Sequence, residues 1–377
     1  MYKKAQSLQP WLSEVYRGLH EIPELDRDLP ETRAFIASAL DRMGISWRPC
    51  AGGLLAELPG RKDGPLLALR ADMDALPVTE ATGLPFASKH AGRRHACGHD
   101  AHVTCALGAL KLLGAEDRGA SLRVLFQPAE ETDGGAEKMI AEGALNGVSA
   151  ALCLHVAAGV RAGQIAVISG CARASSNMFN VTLRGRGSHG AYPHLGADAV
   201  SAGAQILAAL QTLVSRETDP LDSAVVTVGK FTAGTARNVI PDEARLEGIL
   251  RTLDPKTREQ SCRRIREIAE DMARALRVTA EVEMIAGYPA LINDGAMAAE
   301  IRRIGAGLLG AGNVLIPEAA QMGVDDFAYI GERVPGCYVD LGCSSALPAE
   351  PIHSPRFRVD ESCLPVGAAL IAAWVQK

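Results

Sequence analysis

At 377 residues, with 47% hydrophobic and 22% charged side chains, the chain has the composition of an ordinary globular protein and the length for two cores. Its net charge of −5 comes from interspersed acids and bases, so it offers no basic face to nucleic acid or to an anionic membrane. Met1-Tyr2-Lys3-Lys4 lacks the apolar run of a signal peptide, no segment reads as long enough to span a bilayer, and nine cysteines lie scattered without framework spacing, which together predict reduced thiols in a cytoplasmic protein.

In chain order, Trp11 to Leu19 and Pro30 to Met43 read as helices. Pro65 to Arg70 is a short apolar run ending in charge, as a buried strand does. Ala101 to Leu113 reads as a helix stopping at Gly114, Ser121 to Phe126 as a strand, Gly134 to Glu142 as a helix and Ala150 to Leu154 as a further strand. Strand alternating with helix predicts a mainly parallel sheet covered on both faces. From about Ser175 the pattern changes. Asn177 to Arg184 reads as a strand, Gly196 to Arg216 as a long helix, and Ala224 to Phe231 and Ala244 to Leu253 as strands. Pro255 to Leu276 follows as a helix and Val278 to Ile285 as a strand. That β-α-β-β-α-β order is ferredoxin-like and is complete within a normal domain length. The chain then returns with a helix near Gly295 to Leu309, the strand-like Cys337 to Leu341 and a terminal helix from Leu364. The expected fold class is therefore α/β: a mainly parallel-sheet domain from residues 1–174 and 289–377, with a ferredoxin-like α+β domain inserted over 175–288.

The chemistry-bearing residues fall at one edge of the expected sheet. Asp72 and Asp74 follow the strand ending at Arg70, Glu130 and Glu131 follow the strand ending at Phe126, and His155 follows the strand ending at Leu154. Open α/β sheets build their sites beyond the carboxyl ends of strands. Between them comes His95-Ala96-Cys97-Gly98-His99-Asp100-Ala101-His102, and late in the chain His353 sits on a loop between Pro351 and Pro355. A single Cys or His is most often filler, and a Glu-Glu pair a solvated helix end; the signal is their conjunction.

Cys97, His99, Glu131, His155 and His353 make five donors of the kind that hold zinc-like ions. A four-coordinate structural site uses four and leaves nothing open, whereas five donors plus water fit two metals sharing a bridge. Glu130 is next to a ligand yet poorly placed to bind the same ion, which makes it the candidate general base. Two other classes compete. Cys97 could be a nucleophile with His99 or His102 as base, but Cys-His hydrolases assemble that pair from distant sequence. A non-catalytic metal-binding scaffold would have no need of Glu130.

Several motifs in a fixed order carry a resemblance over nearly the whole chain. They are His20-Glu21-Ile22-Pro23-Glu24-Leu25, Leu69 to Pro77, His95 to His102, Gln127 to Glu131, Gly187 to His194, Arg237 to Pro241 and Ile352 to Pro355. The chain resembles the aminoacylase, hippurate hydrolase and indole-acetyl-amino-acid hydrolase branch of the co-catalytic metallopeptidases, relatives of glutamate carboxypeptidase. The resemblance implies an amidohydrolase that cleaves N-acyl amino acids or small dipeptide-like amides with a metal-bridging water. It implies two divalent ions per subunit, zinc or manganese with cobalt or nickel as alternatives, on the five donors above. Glu130 becomes the acid/base and Asp72 the residue that orients a ligand. The inserted domain becomes a dimerisation and lid domain, with His189 and Asn238 reaching an active site across a homodimer interface; a higher homo-oligomer stays open. His189 would stabilise the oxyanion, and Arg251 would hold the substrate carboxylate. A dipeptidase or aminoacyl-conjugate carboxypeptidase on the same metals is the alternative. One departure stands out: the wider superfamily carries His-x-Asp where this chain reads Arg70-Ala71-Asp72. A milder change is Asp325, which stands where the family usually has Glu.

Overall fold

The strand Leu66–Asp72 is buried along both faces, which is why its sequence is a continuous apolar run rather than an alternation. It lies inside an eight-stranded sheet in the computed structural model, which describes residues 1–61, 63–114 and 118–377. Across the sheet the order is Ser46–Cys50, Gly53–Leu58, Ser121–Gln127, Leu66–Asp72, Val148–Arg161, Gly336–Ser344, Ile165–Ala166 and Val314–Leu315. Leu66–Asp72 pairs in parallel with both neighbours, and Gly336–Ser344 runs parallel to Val148–Arg161. The edge hairpin Ser46–Cys50 and Gly53–Leu58 is antiparallel. The helices His99–Leu113 and Leu364–Val375 are buried along nearly their whole length and share the core with this sheet. This first unit comprises Met1–Ala172, Ile292–Ala319 and Asp325–Lys377.

The second unit, Arg173–Leu291 with Ala320–Val324, has a core of its own built on Phe179, Val181, Leu246 and Ile265. Its antiparallel sheet runs Ala224–Ala233, Glu243–Thr252, Ser175–Arg184, Thr279–Ala286, with the helices Ala199–Thr212 and Pro255–Ala275 between strands: the ferredoxin-like arrangement. Both helices start at an aspartate cap. Asp198 accepts from the Val200 and Ser201 N–H groups, and Asp254 from Thr257, so the first helix begins at Ala199 rather than at Gly196.

Two further features depart from the sequence reading. The hairpin Ser46–Leu58 was not anticipated, because Gly53-Leu54-Leu55-Ala56-Glu57-Leu58 shows neither helical nor alternating periodicity. The strand expected to stop at Leu154 extends over Val148–Arg161, since its ladder with Gly336–Ser344 continues past the apolar run; His155 lies inside it, opposite Asp340.

Candidate metal centre

The helix His99–Leu113 delivers two imidazoles and, just before its first turn, a thiol. Its N-cap Gly98 has φ 84°, and a Cβ there would meet Val156 Cγ2 at 2.4 Å, so only glycine lets the turn close against the neighbouring strand. His99 and His102, three residues apart, share one side of the helix, with ring centroids 5.4 Å apart. The thiol of Cys97 then faces His155, Sγ to Nε2, at 3.4 Å.

Glu130 and Glu131 follow the strand Ser121–Gln127 on a turn in which Ala129 takes a left-handed φ of 56°. His353, on its proline-flanked loop, is also left-handed at φ 66°, and its N–H donates to the Ala96 carbonyl at 2.8 Å. These anchors bring His353 Nε2 to 3.2 Å and His99 Nε2 to 3.9 Å from Glu131 Oε1. One donor atom each from Cys97, Glu131 and His353 lies within 4.8 Å of the others, as do those of His99, Glu130 and Glu131. The five donors singled out in the sequence are thus brought together within the first unit.

The donor set suits divalent cations. Both ring nitrogens of His99 and Glu131 Oε1 are buried without a hydrogen bond among the described residues, although such atoms nearly always find one. A cation among them would supply the missing partner. His155 is held neutral: its Nδ1–H donates to the Val156 carbonyl at 2.8 Å, which leaves the Nε2 lone pair facing Cys97. Burial, with His102 beside it, keeps its pKa well below the usual value. Burial likewise pushes the Cys97 thiol up, an effect that a bound cation reverses.

Residues 68–377 match Peptidase family M20/M25/M40. The chain belongs to that family. An N-acetyl-L-cysteine deacetylase of Bacillus subtilis (strain 168) is 40% identical over 362 residues, 95% of this chain and 86% of that protein. An IAA-amino acid hydrolase of Arabidopsis thaliana, ILR1-like 5, is 37% identical over 379 residues, 98% of this chain and 87% of that protein. Among solved structures, the Bacillus subtilis YXEP protein, described as a dinuclear metal binding peptidase from the M20 family, matches with a TM-score of 0.86 at 35% identity, covering 98% of this chain and 99% of that one.

In this M20 chain, several residues that the sequence reading gave no role complete the site. Asp72 faces Arg70 and accepts from His102 Nδ1 at 2.5 Å, while Val156 N–H donates to His102 Nε2 at 2.8 Å. His102 is therefore fully engaged between a carboxylate and the strand that carries His155. The carboxylate facing His99 Nδ1, at 3.4 Å, belongs to Asp74. Arg70 reaches from Asp72 to Asp326 and, at 3.4 Å, to Asp325, and Gln127 Nε2 donates to Asp326 at 2.8 Å. Glu130 lies 8% exposed among these acids. Burial, with Asp325, Glu131 and Asp326, raises its carboxyl well above the usual range, and Arg70 opposes this.

The remaining candidates lie in the second unit. His189 and Asn238 line one cavity of about 630 Å³, where His189 pairs with Val239 in a short ladder. Ala191 N–H donates to His189 Nδ1 at 3.1 Å, so the neutral ring carries its proton on Nε2. Arg251 is half-buried on the strand Glu243–Thr252 and has no ion-pair partner among the described residues; burial lowers its pKa.

Proposed function

We propose that the chain hydrolyses the amide bond of N-acyl amino acids or small dipeptide-like amides, using two divalent cations held by Cys97, His99, Glu131, His155 and His353. The observation that carries this reading is the convergence of five donors, three of their atoms buried without a hydrogen bond, beside a buried glutamate in a chain of the M20 family. When bound, the ions supply Lewis acidity toward the carbonyl and an acidified water. Cys97 and the three imidazoles favour zinc-like ions, and the Glu131 oxygen accommodates manganese.

Glu130 takes the proton from the attacking water and delivers it to the leaving nitrogen. Burial and the neighbouring acids raise its proton affinity, the direction required of a group that must both accept and donate near neutral pH. Asp72 keeps His102 in one tautomer, and His102 in turn fixes the backbone next to His155. His189, with its Nε2–H exposed, donates to the oxyanion, Asn238 supports the substrate beside it, and Arg251, lacking an acidic partner, receives the substrate carboxylate. The inserted unit works as the dimerisation and lid domain, and His189 and Asn238 serve the site of a second copy in a homodimer. No helix among the described residues is long and apolar enough to cross a membrane. The nine cysteines are all free thiols, which supports a reducing, cytoplasmic setting.

The test is a panel of dipeptides and of N-acetyl, N-benzoyl and indole-acetyl amino acids, the acylated ones each also with the carboxylate amidated, incubated with manganese- or zinc-loaded protein. Release of the free amino acid, with KM raised sharply for the amidated forms, is expected. Hydrolysis of dipeptides alone would favour the dipeptidase reading.

A further inference from the structure

Asp74 has no part in the chemistry above, yet its carboxylate, 1% exposed, faces three parts of the site at once. Oδ1 accepts from Glu130 N–H and Oδ2 from Glu131 N–H, each at 3.1 Å. Oδ1 also lies 3.4 Å from His99 Nδ1. The left-handed Ala129 just before this turn aims the two successive N–H groups at one anion, a backbone nest occupied by the protein's own carboxylate.

We propose that Asp74 is the positioning residue that gives the adjacent glutamates different tasks. Anchoring both N–H groups on one carboxylate fixes the turn, so that Glu131 faces His353 and His99 while Glu130 faces Asp325 and Asp326. The same carboxylate faces His99 Nδ1 at 3.4 Å and so favours the ring orientation that turns Nε2 toward Glu131 and Asp72. Without this clamp the Glu-Glu turn can rotate, and both carboxylates, or neither, would face the cations. The proposal rests on the reading of Glu130 as base and Glu131 as ligand.

The donor count makes it specific. Two backbone N–H groups donate one to each oxygen, and the His99 imidazole lies 3.4 Å from one of them. An asparagine has nearly the same shape but only one acceptor, and its amide N–H₂ would confront a donor. Asp74→Asn is therefore expected to behave almost like Asp74→Ala, which a role in packing alone does not predict.

The experiment measures turnover, KM and metal content of the full chain, loaded with saturating manganese, for wild type, Asp74→Asn, Asp74→Ala and Glu130→Gln, and for the Asp74→Asn/Glu130→Gln double variant. Both Asp74 variants should bind metal more weakly and, once saturated, turn over roughly tenfold to a hundredfold more slowly with KM little changed, the cost of a misplaced base. In the Glu130→Gln background Asp74→Asn should add little, because the group it positions is already gone. Should Asp74→Asn not fold, Asp74→Ser carries the same expectations. Wild-type turnover and metal content in Asp74→Asn would overturn the proposal, and so would losses that multiply fully in the double variant. Wild-type turnover in Glu130→Gln alone would overturn the base assignment, and with it the proposal.

Discussion

Replacing Glu130 by glutamine should make the protein slower and more stable at once. The carboxylate is buried among Asp325, Asp326 and Glu131, with Arg70 as a cation shared among several acids. Its raised pKa means that its charged form opposes folding above the usual carboxylate range. Glutamine keeps the shape and removes that charge, so metal-free Glu130→Gln should gain about 1–2 kcal/mol, the usual yield of relieving a strained functional site. For a chain of this size that is a rise in Tm of about 1–2 °C per kcal/mol. Turnover moves the other way. Loss of a general base costs about 100-fold to 10,000-fold, or roughly 3–5 kcal/mol in the barrier. The assays are calorimetry of the metal-free protein, and kcat on an N-acetyl amino acid with metal content measured on the same samples. Glu131→Gln is the control: it should lose metal affinity, because Glu131 is the acid that faces His353 and His99. If Glu130→Gln holds its metal and turns over within threefold of wild type, the division of labour between the two glutamates is wrong.

Three further outcomes follow from particular contacts. His20, buried between Asp100 and Glu80, pays for burial but is held charged by both, with its pKa raised from 6.5 to about 9. Its contribution, roughly 3 kcal/mol, is therefore present below pH 6.5 and fades as pH rises toward 9, and urea unfolding across pH 6–9.5 should show that slope in wild type and its loss in His20→Asn. Gly98→Ala should destabilise by more than about 2 kcal/mol and weaken metal binding, since the new Cβ meets Val156 Cγ2 at 2.4 Å at a φ of 84°; chemical denaturation and metal titration check this. Mixing inactive Glu130→Gln and His189→Ala subunits should restore activity if His189 serves a neighbouring copy, and no recovery after verified subunit exchange would place its role within its own chain.

The site was legible where chemistry and strand ends coincide. Asp72 and Glu131 could be placed because apolar runs stop just before them, and Cys97 and His99 because they share one short motif with further imidazoles between those strand-end acids. His155 was found for a partly mistaken reason, since it lies inside a long strand whose extent is set by pairing rather than by hydropathy. Asp74 and His102 stand out in the sequence but receive no role in the metal site, because the backbone N–H groups that donate to them leave no mark in a sequence. A weak signal existed: Asp74 stands two residues after Asp72 at the same strand end, and His102 one helical turn after His99. The link from Arg70 to Asp326 joins segments far apart in the chain, and only the fold reveals that this arginine gathers the acids around Glu130. The hairpin Ser46–Leu58 was missed because a strand buried on both faces has no alternation to read.

The central claim, that five side chains hold two cations which the reaction requires, is tested most directly by metal titration of the chelated protein. Aliquots of manganese or zinc are added while bound metal, by elemental analysis, and turnover of an N-acyl amino acid are followed together. Bound metal should approach two per chain, and activity should be absent without metal and restored as the sites fill. Full activity after exhaustive chelation, or saturation at one ion with all five donors intact, would contradict it.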